Sequence, residues 1–433
     1  MLVAKDGLTQ MPRLSAYDPG ASGEGGLDPL GLGALADRLA NILVPGLRAR
    51  MSNPRFVTIS AVGAIACQSL IDKTADQGKT TADIAFEWMV VEALVRDRQE
   101  GRTEGLPGSQ KAARAKAANE RLSRRNYLSG PRVFGFTGVY RPFSRDARVF
   151  TQGDQLGENA RRLVQAWERD RKLNGYVDNI AGTPGGQLRT DITDVCSQTL
   201  DKGVSVASQT FLSSLAPHLA PREADLHERR MLRELVATGQ HETRNELARK
   251  LIASPPSAEM TQRDLAQCLL PSSSTQTRRA LHAAIAYEDA ATSLDYAFRR
   301  FLAYTQQQHG SMISAVVALG TPQLAELAPR IGDLAQRAID AVSEVRDEGL
   351  ASETLQALQS FALPLTPATF LDALIGRHEA VQAGKRKLSW LDQIDGEWTV
   401  RAPYRNQSLD LKDEIWTHPM RLQTLATFLA QTA

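Results

Sequence analysis

Basic and aromatic side chains are concentrated between Lys111 and Phe150, where residue types and spacing could bind a polyanion. Ten basic residues and two acids lie between Lys111 and Arg148, whereas the formal net charge of the whole 433-residue chain is +2. Six aromatic residues lie between Tyr127 and Phe150, in a chain with only 6% aromatic residues. Lysine and arginine neutralise phosphates and release counterions, and aromatic faces stack on exposed bases. The stretch therefore predicts a nucleic-acid-binding surface, with DNA favoured over RNA.

The same composition is also consistent with two alternatives. The aromatic side chains can fill a local core while the arginines are solvated or pair with acids elsewhere in the chain. A helix that leads into a glycine-rich aromatic hairpin is also typical of a winged-helix motif. The sequence leaves both alternatives open.

A second basic stretch with interleaved aromatic residues lies near the C-terminal end. On one continuous helix, Arg114, Arg121 and Arg125 would fall on a single stripe, because residues three and four apart are neighbours. Arg141 and Arg145 would likewise share a face if their part of the chain is helical. The residues predicted to bind nucleic acid are Lys111, Arg114, Arg121, Arg124, Arg125, Arg132, Tyr140, Arg141, Arg145, Arg148, Lys385, Arg386, Lys387, Arg401 and Arg405.

Neither basic stretch contains a recognisable catalytic motif. His378 beside Glu379 could serve as a general base, but neighbouring residues on a helix point in different directions. Asp392, Asp395 and Glu397 could hold a divalent metal, as nuclease sites do, although no lysine follows Glu397 at the spacing of such motifs. The sequence therefore predicts no catalytic residue, no metal and no cofactor. A metal-dependent nuclease stays the less favoured alternative.

The overall composition is that of a helical globular protein. Hydrophobic residues make up 42% and charged residues 23% of the chain, and Ala, Leu, Arg and Gln are frequent. Three cysteines that are far apart in the sequence give no disulfide framework, which favours a reducing cytoplasm. The longest apolar run, Phe56 to Cys67, is too short to cross a bilayer. We therefore expect a cytoplasmic protein without a membrane partner.

Helix signals recur along most of the chain and predict a mainly α, multi-helix protein. It is expected to have two or more helical subdomains and a small β-hairpin near the C-terminus. Asp28-Pro29 predicts the first helix start, and Phe56 to Ile71, apolar on nearly all sides, predicts a central buried helix. Alternation from Glu397 to Tyr404 predicts a strand that pairs with residues 388–393. The predicted domains are a flexible arm (1–26), an N-terminal helical domain with the basic-aromatic segment (27–190), and a C-terminal helical domain ending in a small β element and a helix (191–433).

Several short motifs carry a family resemblance. They are Asp28-Pro-Leu-Gly-Leu-Gly with the helix and Pro45-Gly46 that follow, Gly138-Val-Tyr-Arg-Pro-Phe, His378-Glu-Ala-Val-Gln, Lys385-Arg-Lys and Pro403-Tyr-Arg. In these motifs the chain resembles an uncharacterised bacterial protein family encoded in phage-defence islands. It departs from that family after Arg55, where it has FVTISAVGAI instead of an aromatic-rich run. The family has no established catalytic residues, and the resemblance implies a non-enzymatic subunit of a multi-protein antiviral system.

Two functions of different classes follow from these observations. The first is an accessory subunit of an antiviral defence system that contacts nucleic acid and the other subunits of a defence complex. The second is a protein-interaction scaffold within such a complex, whose basic surfaces bind a protein partner. Counterion release distinguishes them, because only nucleic-acid affinity must fall steeply with rising salt.

Overall fold

The computed structural model describes residues 28–97, 99, 101–257, 259–309, 312–314, 322–394, 397–401, 404 and 416–433. The predicted flexible arm, residues 1–26, lies outside these residues. Helices dominate the described chain, with two small antiparallel sheets. The prediction of a mainly α, multi-helix protein is therefore confirmed. None of the described helices combines the length and the apolar character that a membrane span requires.

The described part of the chain contains the following helices and strands. The helices are α1 (Gly33–Leu43), α2 (Phe56–Ala66), α3 (Ala82–Arg96), α4 (Ser109–Ala117), α5 (Pro131–Phe134), α6 (Phe136–Asp146), α7 (Glu158–Asp170), α8 (Pro184–Lys202), α9 (Gln209–Leu219), α10 (Leu226–Ala237), α11 (Glu242–Ala253), α12 (Gln262–Leu269), α13 (Thr275–His309), α14 (Pro322–Ser343), α15 (Glu348–Leu358), α16 (Pro367–Gly384) and α17 (Leu422–Gln431). The strands are β1 (Thr74–Ala75), β2 (Thr80–Thr81), β3 (Met312–Ser314), β4 (Leu391–Ile394) and β5 (Glu397–Val400).

The first helix begins later than its start signal predicts. Helix α1 begins at Gly33, not at Pro29. The Asp28 carboxylate nevertheless caps it, accepting hydrogen bonds from the Leu32 N–H at 3.0 Å and the Gly33 N–H at 2.9 Å. The first N–H groups of a helix have no partner within the helix, so a side chain that reaches them from an upstream turn serves as well as an adjacent cap.

The described chain forms two compact units. The first unit comprises Met1–Leu39 and Arg279–His418, and the second comprises Ala40–Arg278 and Pro419–Ala433. The predicted division at residue 190 differs from this one and lies inside α8.

Helix α2 lies in the core of the second unit, where it packs against α3, α6, α7 and α8. Every residue from Phe56 to Ala66 except Ala64 is buried. Gly63 lets α3 approach closely, because a Cβ at this position would lie 2.3 Å from the Phe86 ring. Burial of this apolar segment is thus confirmed as far as Cys67, whereas Ile71, after a 3₁₀ turn, is 67% exposed.

The predicted C-terminal hairpin belongs to the first unit. Strands β4 and β5 pair antiparallel, with Leu391 opposite Val400 and Ile394 opposite Glu397. Strand β3 adds to the other side of β5, so the sheet order is β3–β5–β4. The hairpin prediction is confirmed, and the third strand was not predicted.

Candidate nucleic-acid interface

Helix α3 supplies the carboxylates that hold the basic-aromatic segment in place. Glu92 is 2% exposed and accepts hydrogen bonds from the Leu122 N–H and the Ser205 hydroxyl, both at 2.7 Å. Its carboxylate also lies 2.6 Å from the Arg121 guanidinium, which donates to the Ala207 carbonyl at 2.6 Å. Arg121 therefore ties the segment to the body of the unit rather than offering a free charge.

The predicted stripe of Arg114, Arg121 and Arg125 is wrong, because α4 ends at Ala117. Asn119 has a positive φ of 54°. The Glu120 N–H donates to a carbonyl of the last helical turn, at 2.8 Å. Asparagine tolerates this left-handed conformation, which commonly ends a helix. Arg121 and Arg125 thus lie beyond the helix that carries Arg114.

A second carboxylate of α3, Glu87, lies beneath the turn between α5 and α6. It is 1% exposed and accepts a hydrogen bond from the Tyr127 hydroxyl at 2.8 Å and from the Thr137 N–H at 3.0 Å. Burial raises its pKa from 4.5 to about 7. Gly135 is required here, because a Cβ would lie 1.9 Å from the Glu87 Oε1 atom.

The aromatic side chains of α6 form core rather than a binding surface. Phe136, Tyr140 and Phe143 are fully buried. The Tyr140 ring lies 5.2 Å from Phe56 and 6.2 Å from Phe428, and its hydroxyl accepts the Asn53 N–H at 2.9 Å. The prediction that Tyr140 contacts nucleic acid is therefore wrong. The winged-helix alternative is also wrong, because two helices stand where it requires a hairpin.

The arginines of α6 and its surroundings are paired with acids. Arg141 and Arg145 share a face, as predicted, and both contact the Asp154 carboxylate, at 3.2 and 2.8 Å. Arg141 also lies 3.5 Å from Asp83. Two further pairs are Arg132–Asp83 at 3.9 Å and Arg148–Glu158 at 2.8 Å. For these residues the local-core alternative describes the structure better than an open basic surface.

Four predicted site residues of the segment are exposed and have no acidic partner among the described residues: Lys111, Arg114, Arg124 and Arg125. We call them the basic cluster. Lys111 and Arg114 lie on adjacent turns of α4, while Arg124 and Arg125 lie in the turn that follows it. None of the four side chains forms a hydrogen bond or an ion pair with another described residue. The one acid between them in the sequence is Glu120, whose carboxylate accepts from the Asn126 amide at 2.9 Å.

The C-terminal basic residues belong to the first unit and have varied surroundings. The Lys385 amine donates to the Asp28 carbonyl at 2.8 Å, whereas Arg386 and Lys387 are exposed. The Arg401 side chain is 9% exposed and lies 2.6 Å from Asp392. Arg405 lies outside the described residues.

The candidate metal site is not assembled in the described part of the chain. Asp392 is engaged by the Arg401 guanidinium through two hydrogen bonds, at 2.6 and 3.1 Å. Asp395 lies outside the described residues. Among the residues that are described, no group of three or more His, Cys, Asp or Glu side chains is arranged to hold a metal ion.

His378 has a structural position in the first unit. It is fully buried, with Nδ1 2.9 Å from the Pro29 carbonyl and Nε2 2.9 Å from the Trp390 backbone nitrogen. The neutral ring satisfies both partners, with Nδ1 donating and Nε2 accepting. Burial lowers its pKa from 6.5 to about 4. His378 therefore joins two parts of the unit, and its side chain is not open to a substrate.

Sequence reasoning missed one exposed aromatic side chain of the segment. Phe134 is 39% exposed, and the Arg50 guanidinium carbon lies 5.4 Å from its ring centroid. The available signal was the pair of glycines, Gly130 and Gly135, on either side of a four-residue helix, since such short elements between glycines lie at protein surfaces.

Comparisons with protein-family models, with curated proteins and with solved structures found no match to this chain. The protein is therefore classified from its structure alone. The chain is a mainly α protein of two units, with an exposed basic cluster on the second.

Proposed function

We propose that this protein is a non-enzymatic accessory subunit that contacts nucleic acid, preferentially DNA, through the basic cluster. One observation supports the proposal most. Arg121, Arg141, Arg145 and Arg148 of the same stretch face carboxylates in the fold, whereas the four cluster residues are exposed without an acidic partner among the described residues. Cations without partners leave a positive potential at the surface, and phosphate groups are the natural counter-charge.

The number of cluster residues sets the expected salt dependence. Four phosphate contacts on duplex DNA give a slope of log affinity against log salt of about −3.6. Affinity should therefore fall on the order of 100-fold between about 50 and 200 mM salt. Sequence preference should be weak, because phosphate contacts position a protein without reading bases.

A double charge reversal tests this proposal. We expect Arg114→Glu with Arg125→Glu to weaken DNA binding uniformly across sequences. The slope of log affinity against log salt should become shallower by the contribution of about two phosphate contacts. The melting temperature should stay unchanged, because exposed charges contribute little to folding.

The matched control makes the same change of charge elsewhere in the second unit. Arg161→Glu with Arg162→Glu alters side chains that are 60% and 57% exposed but that pair with Asp178 and Glu234 in the fold. The control should bind DNA with nearly the original salt slope. Electrophoretic shifts at two salt concentrations measure both variants, and no shift for the unmutated protein at low salt would refute the proposal.

A protein-interaction scaffold is the second candidate, favoured by a different observation. Val133 is 61% exposed beside Phe134, an apolar pair at the surface of the second unit. Unchanged DNA binding in the charge-reversed variant, together with loss of a co-purifying defence subunit, would favour this candidate. The antiviral setting of both proposals comes from the sequence resemblance, and it is tested by co-purification with the products of neighbouring genes.

A further inference from the structure

Phe134 differs from the other aromatic residues around it. Phe136, Tyr140 and Phe143 are fully buried, whereas 39% of Phe134 is open to solvent. The Arg50 guanidinium lies 5.4 Å from the ring centroid, within the range of a cation–π contact. The fold thus presents one aromatic ring at the surface with a cation against it.

A chain of buried contacts connects the start of α4, the helix that carries part of the basic cluster, to the end of α5. Gly108, which precedes α4, touches Tyr127, because a Cβ there would lie 2.5 Å from the tyrosine hydroxyl oxygen. That hydroxyl donates to Glu87, and Glu87 touches Gly135, the residue after Phe134. The first turn of α4, which carries Lys111, therefore neighbours the end of α5.

The loop that carries Arg50 reaches the same region. The Ser52 hydroxyl donates to the Gly105 carbonyl at 3.3 Å, which joins the Arg50 loop to the chain that enters α4. Arg50 forms no hydrogen bond or ion pair with another described residue. Arg132, two residues before Phe134 in the sequence, is 54% exposed, and its guanidinium donates to the Thr81 hydroxyl at 3.0 Å and lies 3.9 Å from Asp83. The exposed ring thus has one cation, Arg50, against it.

We propose that Phe134 stacks on an unpaired base of single-stranded nucleic acid, with Arg50 and Lys111 binding the neighbouring phosphates. The inference rests on the proposed function and specifies the form of nucleic acid. A base in a duplex has both faces covered by its neighbours, so only an unpaired base can offer a face to a side chain. A protein partner fits less well, because among the described residues of this segment the exposed large apolar side chains are Val133 and Phe134, a small apolar surface.

The test compares three variants on two probes. Phe134→Ala removes the ring, Phe134→Tyr keeps it, and Val133→Ala is the control at the neighbouring, more exposed apolar side chain. Fluorescence anisotropy measures the affinity of each for a labelled oligothymidylate and for a hairpin duplex of mixed sequence. Circular dichroism verifies that each variant keeps its helix content, which is expected since both side chains are exposed.

We expect Phe134→Ala to lose about fivefold or more of its affinity for the single strand, the effect of one lost base–aromatic stack. Its duplex affinity should change little. Its salt slope on the single strand should also stay unchanged, because no phosphate contact is removed. Phe134→Tyr should bind as the unmutated protein does, and so should Val133→Ala.

Two results would overturn the inference in distinguishable ways. If the unmutated protein binds duplex but Phe134→Ala binds the single strand with full affinity, stacking is wrong while the proposed function stands. If the unmutated protein binds neither probe at low salt, both proposals fail. An equal loss in Phe134→Ala and Val133→Ala would indicate that the ring has no specific role and would also refute stacking on a base.

Discussion

The buried carboxyl group of Glu87 predicts how the stability of the protein depends on pH. Its carboxylate is buried with no cation in contact among the described residues, and it accepts hydrogen bonds from the Tyr127 hydroxyl and the Thr137 N–H. Burial raises its pKa from 4.5 to about 7. The folded protein therefore binds this proton more tightly than the unfolded chain does. Stability from this group is fully present below pH 4.5 and is lost as the pH rises through about 7. The loss amounts to about 3 kcal/mol.

Replacing Glu87 with glutamine isolates this effect. Glutamine is neutral at every pH and has nearly the same shape. Its carbonyl can accept the Thr137 N–H while its amide donates to the Tyr127 oxygen, and that hydroxyl can turn to the Pro107 carbonyl, 3.5 Å away. We expect Glu87→Gln to gain about 3 kcal/mol of stability relative to the unmutated protein between acid and mildly alkaline pH.

Urea unfolding of both proteins at a series of pH values measures the difference. Hydrogen exchange of α3 peptides along the urea series reports on the unit that holds Glu87. Glu92→Gln is the control, on the same helix but facing Arg121 at 2.6 Å. It should destabilise at neutral pH, because it leaves a partly buried guanidinium without its carboxylate partner. A difference between Glu87→Gln and the unmutated protein that is constant over the whole pH range would contradict the reasoning.

Two further predictions concern single positions. Gly135→Ala should lower stability by about 1–3 kcal/mol in a thermal melting assay, because its Cβ would overlap Glu87. The control is Gly376→Ala inside α16, where the Cβ would meet open space, and it should be neutral or stabilising. His378→Ala should cost about 1–3 kcal/mol by leaving the buried Trp390 N–H without its acceptor. In the unmutated protein, the first unit should also lose stability as the pH falls from 6.5 towards 4, because the buried His378 imidazole must then become charged. Thermal scans at these pH values should show no such loss for His378→Ala.

Local signals predicted the elements whose causes lie within a few residues. Thr366-Pro367 starts α16, and the Thr366 hydroxyl accepts the Thr369 N–H at 3.3 Å in a capping box. Alternation predicted β5 and its pairing with β4. The apolar run from Phe56 to Cys67 predicted a buried helix, because no face of it can be exposed to water at low cost.

Long-range pairing could not be predicted in the same way. Leu122 meets Glu92 from 30 residues away, and Arg141 meets Asp83 from 58 residues away. Neither partner has a property that distinguishes it from other acids in the sequence. The charge excess between Lys111 and Arg148 is therefore correct as a count, but half of its basic residues face acids that only the fold brings close. The third strand of the C-terminal sheet escaped prediction for the same reason.

Two buried carboxylates of α3 explain part of the composition of the basic-aromatic segment. Buried carboxylates need hydrogen-bond donors, and a buried acid without them costs several kcal/mol or stays protonated. The segment supplies such donors to Glu87 and Glu92: a tyrosine hydroxyl, a guanidinium and two backbone N–H groups. Folding thus accounts for the residues that face α3, while the basic cluster satisfies no carboxylate among the described residues. Residues that the fold does not require are the ones to test for binding, and removing them should change affinity while leaving the pH dependence set by Glu87 untouched.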